Sequence, residues 1–183
     1  MGIPKCIILI VVFASGGIYP LKGVASDFSC EKYLSRIMPF PYRQVLPYTC
    51  GPACIHSQLL ARYISSPGEG KIAKRTRTNE KEGTRVEAMV DVLHSFGLKA
   101  HFRESMTLLE IKTGLSKGKG YIVNIQSEGE GHWANVAFVT QNHIILMDPL
   151  QGDYSGSYSH SDFLSIWYGG PTQPTVRLAI EIE

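Results

Sequence analysis

The sequence lacks an apolar run long enough to cross a membrane. Its longest uninterrupted apolar stretch, residues 6–14, is far shorter than the roughly 20 residues that a spanning helix needs. Charged side chains are also few, at 19%, but 44% of the residues are hydrophobic, which excludes disordered and fibrous classes. No internal repeat is present, and 183 residues suit one domain with its own core.

The chain has no net charge of either sign once the N-terminal segment is set aside. Lys5 precedes the apolar stretch and the small residues 24–26 follow it, a pattern that predicts a signal peptide over residues 1–25 and one domain over residues 26–183. Removing Lys5 and Lys22 lowers the basic residues from 18 to 16, equal to the 16 acidic ones. A neutral chain has no excess of cations to neutralise phosphates, so we expect no nucleic-acid partner.

The N-terminal pattern predicts where the protein works. We expect an exported protein, periplasmic or extracellular, with no stable membrane insertion after signal cleavage; a membrane anchor formed by the N-terminal segment is the alternative. In such an oxidising compartment Cys30 and Cys54 could pair, which would tether the N-terminal arm to the domain. The sequence leaves this disulfide open.

The first predicted helix begins at Cys50. Apolar residues recur at helical spacing from this point, and Pro52 suits the first turn, where a missing N–H costs nothing. Residues 65–83 follow with dense mixed charge and no apolar period, which predicts an exposed loop and leaves open whether it closes over a ligand.

Two further helices are predicted from capping boxes. Thr84 and Glu87 form one such pair ahead of a helical apolar face that Gly97 ends. Thr107 and Glu110 form another, ahead of a short helix.

The strands are predicted from alternating and continuous apolar runs. They cover residues 98–102, 121–126, 133–140, 144–148 and 176–182, with a helix over 162–168 before the last. Helices that come first and mostly antiparallel strands that follow predict an α+β fold, with the helix from Cys50 packed on the sheet.

Four side chains suited to acyl transfer occur in the chain order Gln44, Cys50, His132 and Asp148. A free thiol has a pKa of about 8.5, but a helix N-terminus and a nearby imidazolium both favour the thiolate. Cys50 stands at such a helix start, so it is predicted to be a nucleophile. Gln44 taken alone is more typical of a surface glutamine before a turn.

His132 and Asp148 are predicted to be neighbours across a hairpin. The polar residues 141–143 form a turn between their strands, and a pairing centred at residue 140 sets the two residues opposite each other. Opposed residues have Cβ atoms about 5 Å apart, close enough for a carboxylate to fix the tautomer of an imidazole.

Residues 48–53, Tyr-Thr-Cys-Gly-Pro-Ala, together with residues 131–133 and 147–149, carry a family resemblance. Over roughly residues 44–168 the chain resembles the papain-like cysteine peptidases of bacteriocin exporters, which remove double-glycine leader peptides. The resemblance implies a papain-like fold, the nucleophile Cys50, the base His132 and the orienting acid Asp148. It also implies that Gln44, six residues ahead of Cys50, donates to the oxyanion together with the backbone N–H of Cys50.

The same resemblance implies a peptide or protein substrate, no cofactor and no metal, and a possible association with an export system. The exporter-linked members act on the cytosolic side, joined to transporter modules, whereas the N-terminal pattern here predicts export. Double-glycine specificity is therefore left open.

Other functions stay open beside the peptidase. A cysteine acyltransferase, similar to transglutaminases or phytochelatin synthases, would use the same residues with an amine or thiol as acceptor. A peptidase-like module that binds a peptide without cutting it is a third. A zinc site from Cys50, Cys54 and His132 is disfavoured, because no second Cys/His pair has ligand spacing.

Overall fold

The computed structural model describes residues 37–167 and 176–183, which form an α+β domain. Its described helices are α1 (Cys50–Ala61), α2 (Glu69–Arg75), α3 (Val86–Ser95), α4 (Leu108–Ser116) and α5 (His160–Ile166). Its described strands are β1 (Ala100–Arg103), β2 (Gly120–Ser127), β3 (Glu130–Val139), β4 (His143–Asp148), β5 (Asp153–Ser159) and β6 (Ala179–Ile182). The predicted signal peptide and Cys30 lie outside the described residues.

The strands form one sheet in the order β1-β6-β2-β3-β4-β5, and each described pair is antiparallel. The predicted α+β class, with helices ahead of a mostly antiparallel sheet, is confirmed. Within the described ranges, no helix is both long and apolar enough to span a membrane.

The sheet has an apolar core on each face. Successive residues of β2, Ile122 and Val123, belong to different cores because strand side chains alternate between faces. Helices α1 and α3 cover the first core, and α4 and α5 cover the second. In α1, Ile55 and Leu59 have no exposed surface, and burying a side chain of this size stabilises a fold by roughly 1.5–3 kcal/mol. These residues hold α1, and with it Cys50, against the sheet.

Helix α2 corrects the prediction of an exposed loop over residues 65–83. Its seven residues bury Ile72 completely, and Glu69 and Thr76 are buried beside it. Asn79 and Gly83 then form a small antiparallel bridge. A two-turn helix with one apolar anchor produces no period in the sequence, which is why the pattern suggested a loop.

The predicted capping box at Thr84 is wrong, although the helix it introduced is present. The N-cap of α3 is Arg85, and no side chain caps it. The Thr84 hydroxyl hydrogen-bonds to that of Thr78 instead, and the Thr84 carbonyl accepts from the Trp133 indole. The hydroxyl that a capping box would have used is thus bonded to Thr78 instead.

The second predicted capping box is confirmed. The Thr107 hydroxyl accepts from the Glu110 N–H, and the Glu110 carboxylate accepts from the Thr107 N–H at 2.8 Å. Strand β5 was not predicted, because in its Asp-Tyr-Ser-Gly-Ser-Tyr-Ser sequence only Tyr154, Gly156 and Tyr158 alternate with polar residues, which is a weak strand signal.

Candidate active site

Cys50 is the first residue of α1, as the helical spacing predicted, and it is 7% exposed. Thr49 is the N-cap, but its side chain makes no capping bond to the helix and no acidic residue occupies the first turn. The partial positive charge of the helix start is therefore not offset by a carboxylate there.

His132 lies on β3 with its ring held by Asp148. The Nε2–H group of the ring donates to Oδ1 of Asp148 at 2.7 Å, which leaves Nδ1 for the thiol. Both side chains are largely buried, at 7% and 15% exposed. Asp148 also accepts from the Leu150 N–H at 2.9 Å, which fixes the carboxylate itself.

The predicted direct opposition of His132 and Asp148 is wrong by two residues. Asn135 pairs with Met147, and continuing this register sets Asp148 beside Ala134, diagonal to His132. The pairing is displaced because the turn is centred later than residue 140: Val139 pairs with Ile144, and the bulge between Val136 and Phe138 moves the register back by only one residue. Diagonal neighbours on one face remain within reach of long side chains, so the hydrogen bond still forms.

The electrostatics of the pair favour a charged imidazole. Burial opposes the charge on His132, but hydrogen bonds to Asp148 and Cys50, with the negative charges on both, outweigh it and raise its pKa to about 9. Burial likewise opposes ionisation of Asp148, yet His132 and the Leu150 N–H lower its pKa overall. The pair is thus suited to holding an imidazolium and a carboxylate together.

Gln44 lies beside this cluster on a short segment, residues 44–49, which we call the Gln44 loop. The Gln44 backbone N–H donates to the carbonyl of Pro149, the residue after Asp148, at 2.8 Å. Its side-chain Nε2 donates to the carbonyls of Leu46 and Pro47 at 2.7 and 2.8 Å. Both amide hydrogens are therefore engaged within the loop, and one must be released before Gln44 can donate to an oxyanion.

Two glycines allow close backbone approach around the site. A Cβ at Gly51 would lie 2.7 Å from Thr84, so α1 sits directly against the segment before α3. A Cβ at Gly152, whose φ is +76°, would lie 2.9 Å from the backbone nitrogen of Arg43. This second contact packs the turn after Asp148 against the residue before Gln44.

Cys54 lies one turn beyond Cys50 and has no exposed surface. It is a free thiol that donates to the Trp133 carbonyl at 3.3 Å. Burial, then the charges of Cys50 and Asp148, raise its pKa well above the ordinary value, so Cys54 is suited to packing and not to nucleophilic attack.

Sequence patterns did not single out Glu69, which also contacts the site. Glu69 is 4% exposed, and its carboxylate accepts from the Val45 N–H of the Gln44 loop. No motif surrounds it, and its partner lies 24 residues earlier in the chain, so no local signal could have identified it.

Solved structures share the fold of this chain. The peptidase domain of Streptococcus ComA, a bi-functional ABC transporter involved in a quorum sensing pathway, is similar with a TM-score of 0.56 at 19% identity, over 80% of this chain and 97% of that one. A double glycine motif protease from an AMS/PCAT transporter, in complex with the leader peptide, gives 0.60 at 14% identity, over 81% and 92%. A putative C39-like peptidase from Bacillus anthracis gives 0.61 at 14% identity, over 82% and 96%.

These similarities place the chain among domains with a papain-like cysteine peptidase fold, as the sequence resemblance implied. The family comparison is more specific, since the Peptidase C39 family matches residues 41–170. The chain belongs to the Peptidase C39 family and is a cysteine-type peptidase. No curated protein matches it in sequence.

Proposed function

We propose that this peptidase hydrolyses peptide bonds with Cys50 as nucleophile, His132 as general base and acid, Asp148 as the orienting carboxylate and Gln44 as an oxyanion donor. The observation that carries the proposal is the His132 ring, which hydrogen-bonds to Asp148 through Nε2 and interacts with the Cys50 side chain at the start of α1. A thiol, an imidazole and an orienting acid in this arrangement are the components of nucleophilic acyl transfer.

The reaction proceeds in two halves. The Cys50 thiolate attacks the carbonyl carbon, and the C–N bond of the tetrahedral intermediate breaks as His132 gives a proton to the leaving amine. Neutral His132 then takes a proton from water, whose oxygen attacks the thioester. The C–S bond breaks, the peptide leaves as a carboxylic acid, and the thiolate–imidazolium pair is restored.

The oxyanion of each intermediate needs hydrogen-bond donors. The Cys50 backbone N–H is one, and the Gln44 amide is the second once it exchanges a loop carbonyl for the oxyanion. Removing one such donor from a peptidase typically lowers kcat by about 10²–10³. In this proposal Gln44 acts in the chemical step, because the oxyanion exists only during the reaction.

The substrate in this proposal is a peptide or a protein segment. One structural neighbour is described in complex with a leader peptide, and two come from transporters, which supports a peptide substrate and an association with an export system. The pattern of residues 1–25 supports a signal peptide that delivers the domain, residues 26–183, to the periplasm or the exterior.

The test of cleavage is mass spectrometry of a diverse peptide mixture incubated with the protein under mild reductant, beside a Cys50→Ala variant. We expect cuts that disappear in the variant, and their flanking sequences would give the substrate preference. Added amines that capture most of the acyl groups would favour an acyltransferase. An absence of cuts, with Cys50 alkylated no faster than a free peptide thiol, would leave a binding module as the better account.

Export has its own test. Expressing the full chain in a bacterium and sequencing the N-terminus of the recovered protein should show a start near Ser26, outside the cytoplasm. A Val24→Phe, Ala25→Phe double change should leave the precursor uncut, because signal cleavage needs small residues. An intact N-terminus in the cytoplasmic fraction would contradict the proposal.

A further inference from the structure

Glu69, the first residue of α2, is a buried carboxylate that the reaction scheme does not use. It is 4% exposed, and acidic side chains are almost never buried to this degree unless a partner satisfies them. The ion pairs within residues 37–167 and 176–183 do not include it. The Val45 N–H donates to both of its oxygens, at 3.0 and 3.1 Å.

The middle of the Gln44 loop has no apolar anchor. The Val45 and Leu46 side chains are 73% and 45% exposed, and Pro47 is exposed as well. Hydrogen bonds to three consecutive backbone N–H groups fix the loop instead. Gln44 donates to Pro149, Val45 to Glu69, and Leu46 to the Thr49 hydroxyl at 3.1 Å. Glu69 supplies the one charged acceptor among these anchors, and bonds to charged acceptors are roughly twice as strong as neutral ones.

The carboxylate is itself held in a defined place. His56, a neighbour of Glu69, packs edge-on against Tyr42, with ring centroids 4.4 Å apart. The His56 Nδ1 atom lies 2.5 Å from the Ser66 hydroxyl. That hydroxyl accepts from the Gly68 N–H at 3.3 Å, immediately before Glu69. Burial and Glu69 together raise the pKa of Tyr42, which places the phenol beside the same carboxylate.

We infer that Glu69 is a positioning residue for catalysis, which fixes the Gln44 loop through Val45 so that the Gln44 amide can reach the oxyanion. The inference rests on the proposed function. Glu69 acts through Gln44 and contacts no reacting atom. A displacement of about 1 Å in a catalytic group can cost around 10²-fold in rate, so the hydrogen bond from Val45 to Glu69 matters for the position of Gln44.

The test compares Glu69→Ala and Glu69→Gln with Glu80→Ala, an exposed glutamate on the neighbouring turn. We expect Glu69→Ala to lower kcat by about 10-fold or more with little change in KM, because oxyanion donors act in the transition state. Glu69→Gln keeps one carbonyl acceptor for Val45 and should recover part of the loss. The rate of Cys50 alkylation should not change, since alkylation forms no oxyanion.

The decisive comparison places Glu69→Ala in a Gln44→Ala background. If Glu69 acts through Gln44, the second change should lower kcat by less than about 2-fold there. An undiminished loss in that background, or a parallel loss of Cys50 alkylation, would overturn the inference. Wild-type kcat in Glu69→Ala would overturn it too.

Hydrogen exchange at the Val45 amide separates this inference from the proposed function, because it needs no turnover. Glu69→Ala should speed that exchange, whereas Glu80→Ala should not. If Glu69→Ala left the exchange rate at Val45 unchanged, the inference would be wrong even in an active enzyme. A wild-type protein that cuts no peptide would instead remove the proposed function, and faster exchange would still establish Glu69 as the anchor of the loop.

Discussion

His132 and Asp148 are diagonal neighbours on adjacent strands, and a 2.7 Å hydrogen bond joins Nε2 of the ring to Oδ1 of the carboxylate. The position of the His132 ring relative to Asp148 therefore depends on the bulge between Val136 and Phe138 as well as on the two residues themselves. Both side chains are mostly buried, so water screens the pair weakly.

The pH dependence of activity should report on this pair. The pKa of His132 is raised to about 9 from an ordinary 6.5, so we expect kcat/KM to fall as pH rises through about 9 and the imidazolium is lost. Asp148→Asn keeps an acceptor for Nε2–H but removes the charge, and it should move the alkaline limb of the profile to lower pH. An alkaline limb at the same pH in both proteins would show that another group controls it.

The same shifts predict how the free energy of unfolding varies with pH. A raised folded pKa means that His132 contributes stability fully below about pH 6.5 and loses it as pH rises through about 9. The lowered pKa of Asp148 contributes stability above its ordinary value of 3.8, which is lost as pH falls through the folded pKa. Denaturant titrations should show both contributions in the wild type and neither in a His132→Ala, Asp148→Ala double variant.

Gln44→Ala should lower kcat by about 10²–10³ without changing the rate of Cys50 alkylation. The amide is needed only when an oxyanion forms, whereas alkylation depends on the thiolate and His132. Gln141→Ala, an exposed glutamine in the turn between β3 and β4, is the matched control and should keep full activity. Equal kcat for Gln44→Ala and Gln141→Ala would exclude Gln44 as a donor.

Gly51→Ala should destabilise the protein by about 1–3 kcal/mol, the usual range for overpacking. Its new methyl group would meet Thr84 at 2.7 Å and push the start of α1, which carries Cys50, away from the segment before α3. Gly70→Ala, in the open first turn of α2, has nothing within 4 Å and should be neutral or stabilising. Melting temperatures and activities of the two variants test this, and equal melting temperatures would contradict the contact.

Alkylation of the native protein should modify Cys50 and leave Cys54 untouched. Cys54 has no exposed surface, and burial raises its pKa, so its thiolate is scarce and inaccessible. Fragment mass spectra that locate the label, before and after unfolding, provide the measurement. Label on Cys54 in the folded protein would show that the start of α1 opens.

Local patterns predicted the elements whose signals lie within a few residues. Helix α4 has a reciprocal cap between Thr107 and Glu110, and helix α1 has apolar residues on successive turns. Helix α2 was missed because Ile72 is its one fully buried apolar residue, and strand β5 was missed because its alternation consists of only two tyrosines and a glycine.

The candidate site was likewise predicted only in part. The order of Gln44, Cys50, His132 and Asp148 can be taken from the sequence, and the structure brings all four into one region. The register that brings His132 and Asp148 together depends on a bulge between Val136 and Phe138, which no residue of the turn indicates. The role inferred for Glu69 depends on a contact across 24 residues and a side chain buried by tertiary packing.

Helix α1 begins without a side-chain cap, because the Thr49 hydroxyl bonds to Leu46 of the Gln44 loop. An absent cap of this kind typically costs a helix about 1 kcal/mol. An oxyanion or a product carboxylate that settles at this end would supply the missing acceptor. The contact that shapes the Gln44 loop is therefore the same contact that leaves the start of α1 without a side-chain acceptor.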